Sequence, residues 1–223
     1  MFDTDVEVLQ DHIVTTKDYF FYHFIKRTFD ILIGLIGCIL ILPIALVIKI
    51  TYMCTGDFKS VLYTQERIGL NGQKFKLYKF RTMVPNADKI LKDLLKQKKY
   101  RDEWKKYQKL TNDPRITKVG KFLRKSSLDE SAQFVNLLIG NMSLIGPRPL
   151  VEGELDEHNG NHELYESVKP GISGWWAANG RSVTGYDERL KLEYYYIEHQ
   201  GIMMDLKCIV KTISAVILKT GAK

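Results

Sequence analysis

From Phe29 to Ile50 the chain runs through its most apolar stretch, interrupted only by Asp30 and Lys49 near its two ends and carrying Pro43 in its interior. The length is close to the roughly 20 residues a helix needs to span a bilayer core, so a transmembrane helix is the first reading. Two features oppose a simple span. A proline inside a helix removes a backbone hydrogen bond and favours a kink. Positive charge also lies on both flanks: Lys26 and Arg27 before the stretch, and Lys59, Arg67, Lys74, Lys76, Lys79 and Arg81 after it. Cations tend to stay on the cytoplasmic side, which would hold both ends on one face. A kinked helix that enters and leaves by the same face meets both demands. This re-entrant course is the expectation, with a single span as the alternative. The late start of the stretch and the lack of a small-residue cleavage site argue against a signal peptide.

At 223 residues the chain is long enough for one sizeable domain or two small ones. A net charge of +7 calls for an anionic partner: nucleic acid, acidic lipid or phosphorylated substrate. Cys38, Cys54 and Cys208 are odd in number and far apart. They read as free thiols of a reducing compartment, not a disulfide frame or zinc site.

Residues 1–18 are acidic and aperiodic, a loosely ordered lead-in. Val61–Tyr63 and Phe75–Phe80 alternate like two short strands, with Gly69-Leu-Asn-Gly72 as the turn. Lys79 and Arg81, two apart, would share a face as a phosphate clamp or simply as a solvated basic edge. Residues 86–110 predict one or two amphipathic helices, rich in lysine and carrying Trp104. These suit either an anionic membrane surface or a solvated excursion on the core. The tail, Ile202 to Leu218, places Ile202, Leu206, Ile209, Ile213 and Ile217 at helical spacing, an interfacial or core-packed helix.

Chemistry concentrates in Gly120-Lys-Phe-Leu-Arg-Lys-Ser-Ser-Leu-Asp129-Glu130. Two adjacent carboxylates follow a basic run containing Arg124. Ser127-x-x-Glu130 fits a capping box opening the apolar run Phe134–Ile139. A helix start lowers a carboxylate's pKa and can hold a phosphate; alternatively, the two acids only cap the helix. Arg148 stands between Pro147 and Pro149, which stiffen the backbone around a cation suited to phosphate. A Gly-rich loop from Pro170 contains Trp175 and Trp176 and ends at Arg181. It can stack a base and bind phosphate, or fold over the core or into a lipid interface. His158 and His162 read as surface histidines, since Asn159-Gly160-Asn161 between them spoils a helical metal pair.

Together these pieces resemble the bacterial sugar transferase family, the monotopic polyprenyl-phosphate phosphoglycosyl transferases. The resemblance rests on Lys26-Arg27-x-x-Asp30 before a proline-containing apolar segment, Tyr78-Lys-Phe-Arg-Thr-Met83, Asp113-Pro-Arg-Ile-Thr117 and Ser127-Leu-Asp-Glu130. It continues with Gly146-Pro-Arg-Pro-Leu150 and Pro170-Gly-Ile-Ser-Gly174 with Gly180-Arg181. It implies an α+β, mainly helical fold: a membrane-embedded re-entrant helix, interfacial amphipathic helices and a short β-hairpin around a compact catalytic core. The expected division is a lead-in at 1–25, a helix-break-helix at 26–52 and a cytoplasmic-face catalytic domain at 53–223. The location implied is the bacterial inner membrane.

The activity implied is transfer of a hexose 1-phosphate from a UDP-sugar to polyprenyl phosphate, which starts capsule, exopolysaccharide or other glycan assembly. Asp129 would be the nucleophile and Glu130 a Mg2+ residue, with Asp129 also at the metal. Lys79, Arg81, Arg124, Arg148 and Arg181 would bind phosphate. The partners implied are the UDP-hexose, polyprenyl phosphate, membrane lipid and a second copy in a homodimer, with no nucleic acid. The helical region with Trp104 before Asp113-Pro114 resembles the hexose-transferring members, with galactose or glucose as the sugar. Three positions depart from the family's pattern: Ser131-Ala132 stand where Leu-Pro is usual, Ala177 where glutamine is usual and Glu193 where aspartate is common. The Ser131-Ala132 departure motivates an alternative, a catalytically weakened relative acting as a membrane-bound assembly or partner-binding protein.

Overall fold

A single helix, α1 (Thr16–Cys54), carries the whole apolar stretch in the computed structural model, which describes residues 16–107, 109–179 and 185–217. The helical assignment continues through Pro43. Residues 1–15 of the expected lead-in lie outside the described residues, and the helix begins ten residues ahead of Lys26. Its 39 residues extend about 58 Å at about 1.5 Å per residue, nearly twice a bilayer core of about 30 Å. Among the described residues it is the one helix long and apolar enough to cross a membrane, by length and composition. Phe20, Phe24, Leu35, Leu40, Leu46 and Val47 are exposed along it.

Polar side chains fasten the first half of α1 to the rest of the molecule. The Arg27 guanidinium donates to the carbonyls of Leu137 (2.8 Å) and Leu138 (2.7 Å). Asp30 accepts from the Leu144 amide at 2.8 Å and the Ser143 hydroxyl at 3.2 Å. Lys26 pairs with Asp205 at 2.5 Å, and the hydroxyls of Tyr22 and Tyr196 donate to the same carboxylate. The two cations that the topological argument places on a membrane flank are thus held by protein partners.

The hairpin forms as expected and is longer. Strands β1 (Leu62–Ile68) and β2 (Lys74–Phe80) pair antiparallel from Leu62↔Phe80 to Ile68↔Lys74. A 3-10 turn at Leu70–Gly72 joins them, with Asn71 (φ 55°) and Gly72 (φ 70°) in the left-handed region. Alternation along β2 sends Phe75 and Leu77 to one face, against Met142, and Phe80 to the other, against Ile41, Ile48 and Tyr52 of α1. Two helices follow, α2 (Ala87–Leu94) and α3 (Lys98–Tyr107). Trp104 lies over the Arg115 guanidinium, 5.4 Å from ring centroid to Cζ. Arg115 forms a buried bidentate pair with Asp113 (2.6 and 2.8 Å), so this motif knots the chain ahead of the next helix.

That helix, α4 (Lys118–Lys125), is capped by Thr117, whose hydroxyl accepts the Gly120 amide at 2.8 Å. After it come α5 (Gln133–Ile139), β3 (Ser143–Ile145), α6 (His162–Tyr165), β4 (Gly171–Ser173), α7 (Trp175–Ala178), α8 (Tyr186–Glu198) and α9 (Ile202–Ile217). β3 and β4 pair in parallel, giving a mostly helical chain with two small sheets. Leu150, Leu155, Tyr165, Leu190, Tyr196 and Cys208 form the core beneath α8 and α9. α9 forms the expected helix, with Ile209 packed on the core. Met204 and Cys208 are buried, whereas Ile202, Leu206, Val210 and Ile213 stay exposed. The predicted stripe is therefore largely the outward face.

Candidate active site

Asp129 and Glu130 lie on a 3-10 turn, Leu128–Ala132, between α4 and α5. The capping box does not form. An N-cap side chain needs an extended backbone to reach the amide three residues on, but Ser127 is left-handed at φ 56°, ψ 16° and makes no cap bond. Its carbonyl instead accepts the Glu130 amide at 3.3 Å. The Ser131 hydroxyl donates to the Leu128 carbonyl at 2.7 Å, bracing the same turn from its far side. Ala132 is fully buried in the cluster with Phe80 and Leu123. The two residues that depart from the expected Leu-Pro thus supply one hydrogen bond and one tight contact behind the carboxylates.

Asp129 is half-buried. Burial pushes its carboxyl above the ordinary range, and the neighbouring Glu130 charge pushes it the same way; Lys79 and Arg124 pull it down without reversing the shift. The expectation of a lowered pKa at a helix start is therefore corrected: the turn's own amide contributes, but desolvation outweighs it.

Lys79 and Arg124 converge on this turn. Lys79 Nζ donates to Glu130 Oε1 at 3.1 Å. Arg124 is steadied by a bond from Nε to the Thr82 hydroxyl (3.0 Å), and its charge reaches Asp129. Arg81 does not join them. It lies one residue past the end of β2, where strand alternation no longer governs direction. Its guanidinium pairs with Asp57 at 2.7 Å and lies 4.6 Å from the Tyr52 ring centroid.

Arg148 belongs to a second cluster. Its side chain pairs with Glu154 at 3.1 Å, its amide donates to Glu193 at 3.2 Å, and its carbonyl accepts from the Tyr165 hydroxyl at 2.9 Å. Arg189 also donates to Glu154 (3.2 Å), and its guanidinium lies 5.1 Å from the Trp176 ring centroid and 4.7 Å from that of Tyr186. Burial alone would raise the Glu154 carboxyl, but Arg148 and Arg189 hold it below the usual range. Glu193 is buried more completely, and desolvation pushes its carboxyl up to about 7. Arg181 lies outside the described residues.

Sequence reasoning missed Arg67. It is buried on β1, donates to the Pro149 carbonyl (3.2 Å) and Gln65 (2.8 Å), and feels the charges of both Arg148 and Glu130. It therefore links the two clusters. The signal was its place opposite Phe75 in the hairpin, which becomes legible only once the register is known.

Two carboxylates with hard oxygen donors suit Mg2+ when substrate phosphates complete the coordination shell. Among the described residues no set of three His, Cys, Asp or Glu side chains forms a metal group by itself. An open apolar groove of about 590 Å³ runs between α1 and α4, lined by Pro43, Val47, Val119 and Phe122 among others, and reaches Leu128, the neighbour of Asp129.

A sequence model described as "Bacterial sugar transferase" matches residues 21–219. The chain is 42% identical over 200 residues to a UDP-galactose-lipid carrier transferase of Erwinia amylovora; the match covers 89% of this chain and 42% of that protein. It is equally identical to an undecaprenyl-phosphate galactose phosphotransferase of Salmonella typhimurium, over the same shares. The exopolysaccharide production protein ExoY of Sinorhizobium fredii is 40% identical over 88% of this chain and 87% of its own length. The chain thus spans less than half of the first two relatives and most of the third.

Proposed function

This chain belongs to the bacterial sugar transferase family, and we propose that it transfers a hexose 1-phosphate from a UDP-sugar to polyprenyl phosphate. The observation that carries this reading is the pair Asp129 and Glu130, flanked by Lys79 and Arg124 and bordered by an apolar groove. In the proposed reaction an Asp129 carboxylate oxygen attacks the sugar-linked phosphorus. The bond from that phosphorus to the oxygen of UMP breaks, and UMP departs with the electron pair. An oxygen of polyprenyl phosphate then attacks the same phosphorus and displaces the carboxylate, regenerating Asp129. Splitting the exchange lets a water-soluble donor and a lipid acceptor use the site in turn.

Both steps gather negative charge around phosphorus, which preorganised cations stabilise. Lys79 and Arg124 serve at the attacked phosphorus, and Arg148 and Arg67 at the more distant phosphate of the donor. Glu130 and Asp129 would hold Mg2+, which supplies charge neutralisation on the phosphate oxygens. The raised Asp129 pKa marks a carboxylate that is incompletely solvated, and hence more reactive towards phosphorus once ionised. The groove suits the first isoprene units of the acceptor. The relatives' printed names, UDP-galactose-lipid carrier transferase and undecaprenyl-phosphate galactose phosphotransferase, support galactose as the first sugar to assay. A re-entrant seat for α1 in the inner membrane, with the carboxylates at the cytoplasmic face, completes the reading.

The test is UMP release from a panel of UDP-sugars, with intact-mass measurement of the protein in the absence of acceptor. A sugar-phosphate adduct on Asp129 is expected in the parent and absent in Asp129→Asn. Substantial turnover by a folded Asp129→Asn would overturn the nucleophile assignment.

A further inference from the structure

We propose that Asn136 is the positioning residue of the site: its buried amide fixes β2 against α5 and thereby holds Lys79 on Glu130. This rests on the reading of Lys79 and Glu130 as parts of the transfer site. Asn136 is fully buried on α5. Its Oδ1 accepts the Tyr78 amide at 2.9 Å, and its Nδ2 donates to the Lys76 carbonyl at 2.7 Å. One side chain thus satisfies an N–H and a C=O two residues apart on β2, as a neighbouring strand would. A single hydrogen bond leaves a strand free to pivot; two in parallel fix both its distance and its register.

That register decides where Lys79 goes. Tyr78, held by Asn136, is bonded directly to Lys79, while Glu130 lies six residues ahead of Asn136 on the segment that opens α5. This amide is therefore a hydrogen-bonded tie between the two carriers of the ion pair, beside the packing of Phe80 against Ala132. It also leaves β2 with both edges engaged, since β1 pairs along the other side. Asparagine suits the position because it offers one acceptor and one donor within the span of a planar amide. Leucine has similar bulk and neither group, and would leave a buried donor and a buried acceptor unpaired. Aspartate keeps the acceptor and places a carboxylate oxygen against the Lys76 carbonyl.

The experiment is lysine footprinting by mass spectrometry on the full chain in lipid nanodiscs, with an amine-reactive reagent and no substrate. Because nothing needs to be turned over, a chain that transfers no sugar phosphate still reports on positioning; UMP release, measured separately, reports on the function. In the parent, Lys79 should react slowly, and Glu130→Gln should release it. Asn136→Leu should raise Lys79 reactivity several-fold, towards the Glu130→Gln level, with Asn136→Asp in between. Lys26, held by Asp205 of α9 and not by β2, serves as the control and should not change. A general loosening would raise both lysines together, and that result, or an unchanged Lys79 in folded Asn136→Leu, would overturn the proposal. Hydrogen exchange on the parent protein needs no variant: the Tyr78 amide should be strongly protected, and exchange at the rate of an open strand edge would overturn the proposal too. On an active enzyme, Asn136→Leu should lower UMP release and add nothing further in a Lys79→Met background.

Discussion

The Arg27 guanidinium bridges the last carbonyls of α5, reaching Leu137 at 2.8 Å and Leu138 at 2.7 Å. A cation at this end also faces the negative pole of the helix. The contact joins the apolar helix to the element that follows Asp129 and Glu130. Arg27→Met is expected to lower the unfolding free energy by about 1–3 kcal/mol, the range for removing one partner of a partly buried, charge-assisted hydrogen bond. Arg27→Lys should recover only part of this, because an ammonium cannot fork across two carbonyls. Urea unfolding in detergent measures both.

Glu193 makes stability depend on pH. Burial raises its carboxyl to about 7, against 4.5 for an unperturbed side chain. Between those values the folded protein keeps a proton that the unfolded chain has lost. Stability therefore falls as pH rises through this window, and the full loss is present above the folded value. Glu193→Gln mimics the neutral acid. It should exceed the parent by roughly 2–4 kcal/mol at about pH 8 and converge with it at about pH 4. An advantage that stays constant in unfolding curves across that range would rule out the carboxyl as the source.

Gly120 sits where α4 crosses the backbone of Thr82, and a Cβ there would collide with the Thr82 carbonyl. Because Arg124 takes its orientation from the Thr82 hydroxyl, the damage should reach the site. Gly120→Ala is expected to cost about 1–3 kcal/mol by overpacking. UMP release should fall further than the folded fraction does, which a parallel measurement of activity and melting would reveal.

Lys79 and Arg81, near neighbours in sequence, should separate cleanly. Lys79→Met is expected to reduce UMP release by about 10–100-fold, through loss of transition-state charge stabilisation. Its stability should move by no more than about 1 kcal/mol, since its partner is partly exposed. Arg81→Met should do the reverse: lose about 1–3 kcal/mol with its partly buried Asp57 pair and keep donor KM near the parent value. A large KM effect at Arg81 would return it to the phosphate site.

Much of this architecture is written locally. Gly69-Leu-Asn-Gly72 announces a turn between alternating segments, and the hairpin forms there. The acidic pair after a basic run does meet two of its predicted cations, Lys79 and Arg124. The failures share a cause: they depend on partners distant in sequence or on a single backbone torsion. Ser127-x-x-Glu130 carries the right letters for a cap, yet one left-handed residue changes what they do. Strands of three residues, β3 and β4, are too short for any period to reveal, and their pairing joins Ser143 to Gly171. The roles of Asn136 and Arg67 become visible only after β2 has found its neighbours.

The bonds from Lys26, Arg27 and Asp30 have a mechanical consequence. Because these residues bind Asp205, the end of α5 and the start of β3, α1 cannot slide or roll without dragging the rest of the molecule. Its C-terminal half meanwhile packs against α4 and the turn bearing Asp129. Wherever the apolar helix comes to rest, the height and tilt of the carboxylates are settled with it. The helix is less a tether than a fixed stand: seated in a bilayer as proposed, it would turn a change in lipid thickness into a change in the height of Asp129 and Glu130.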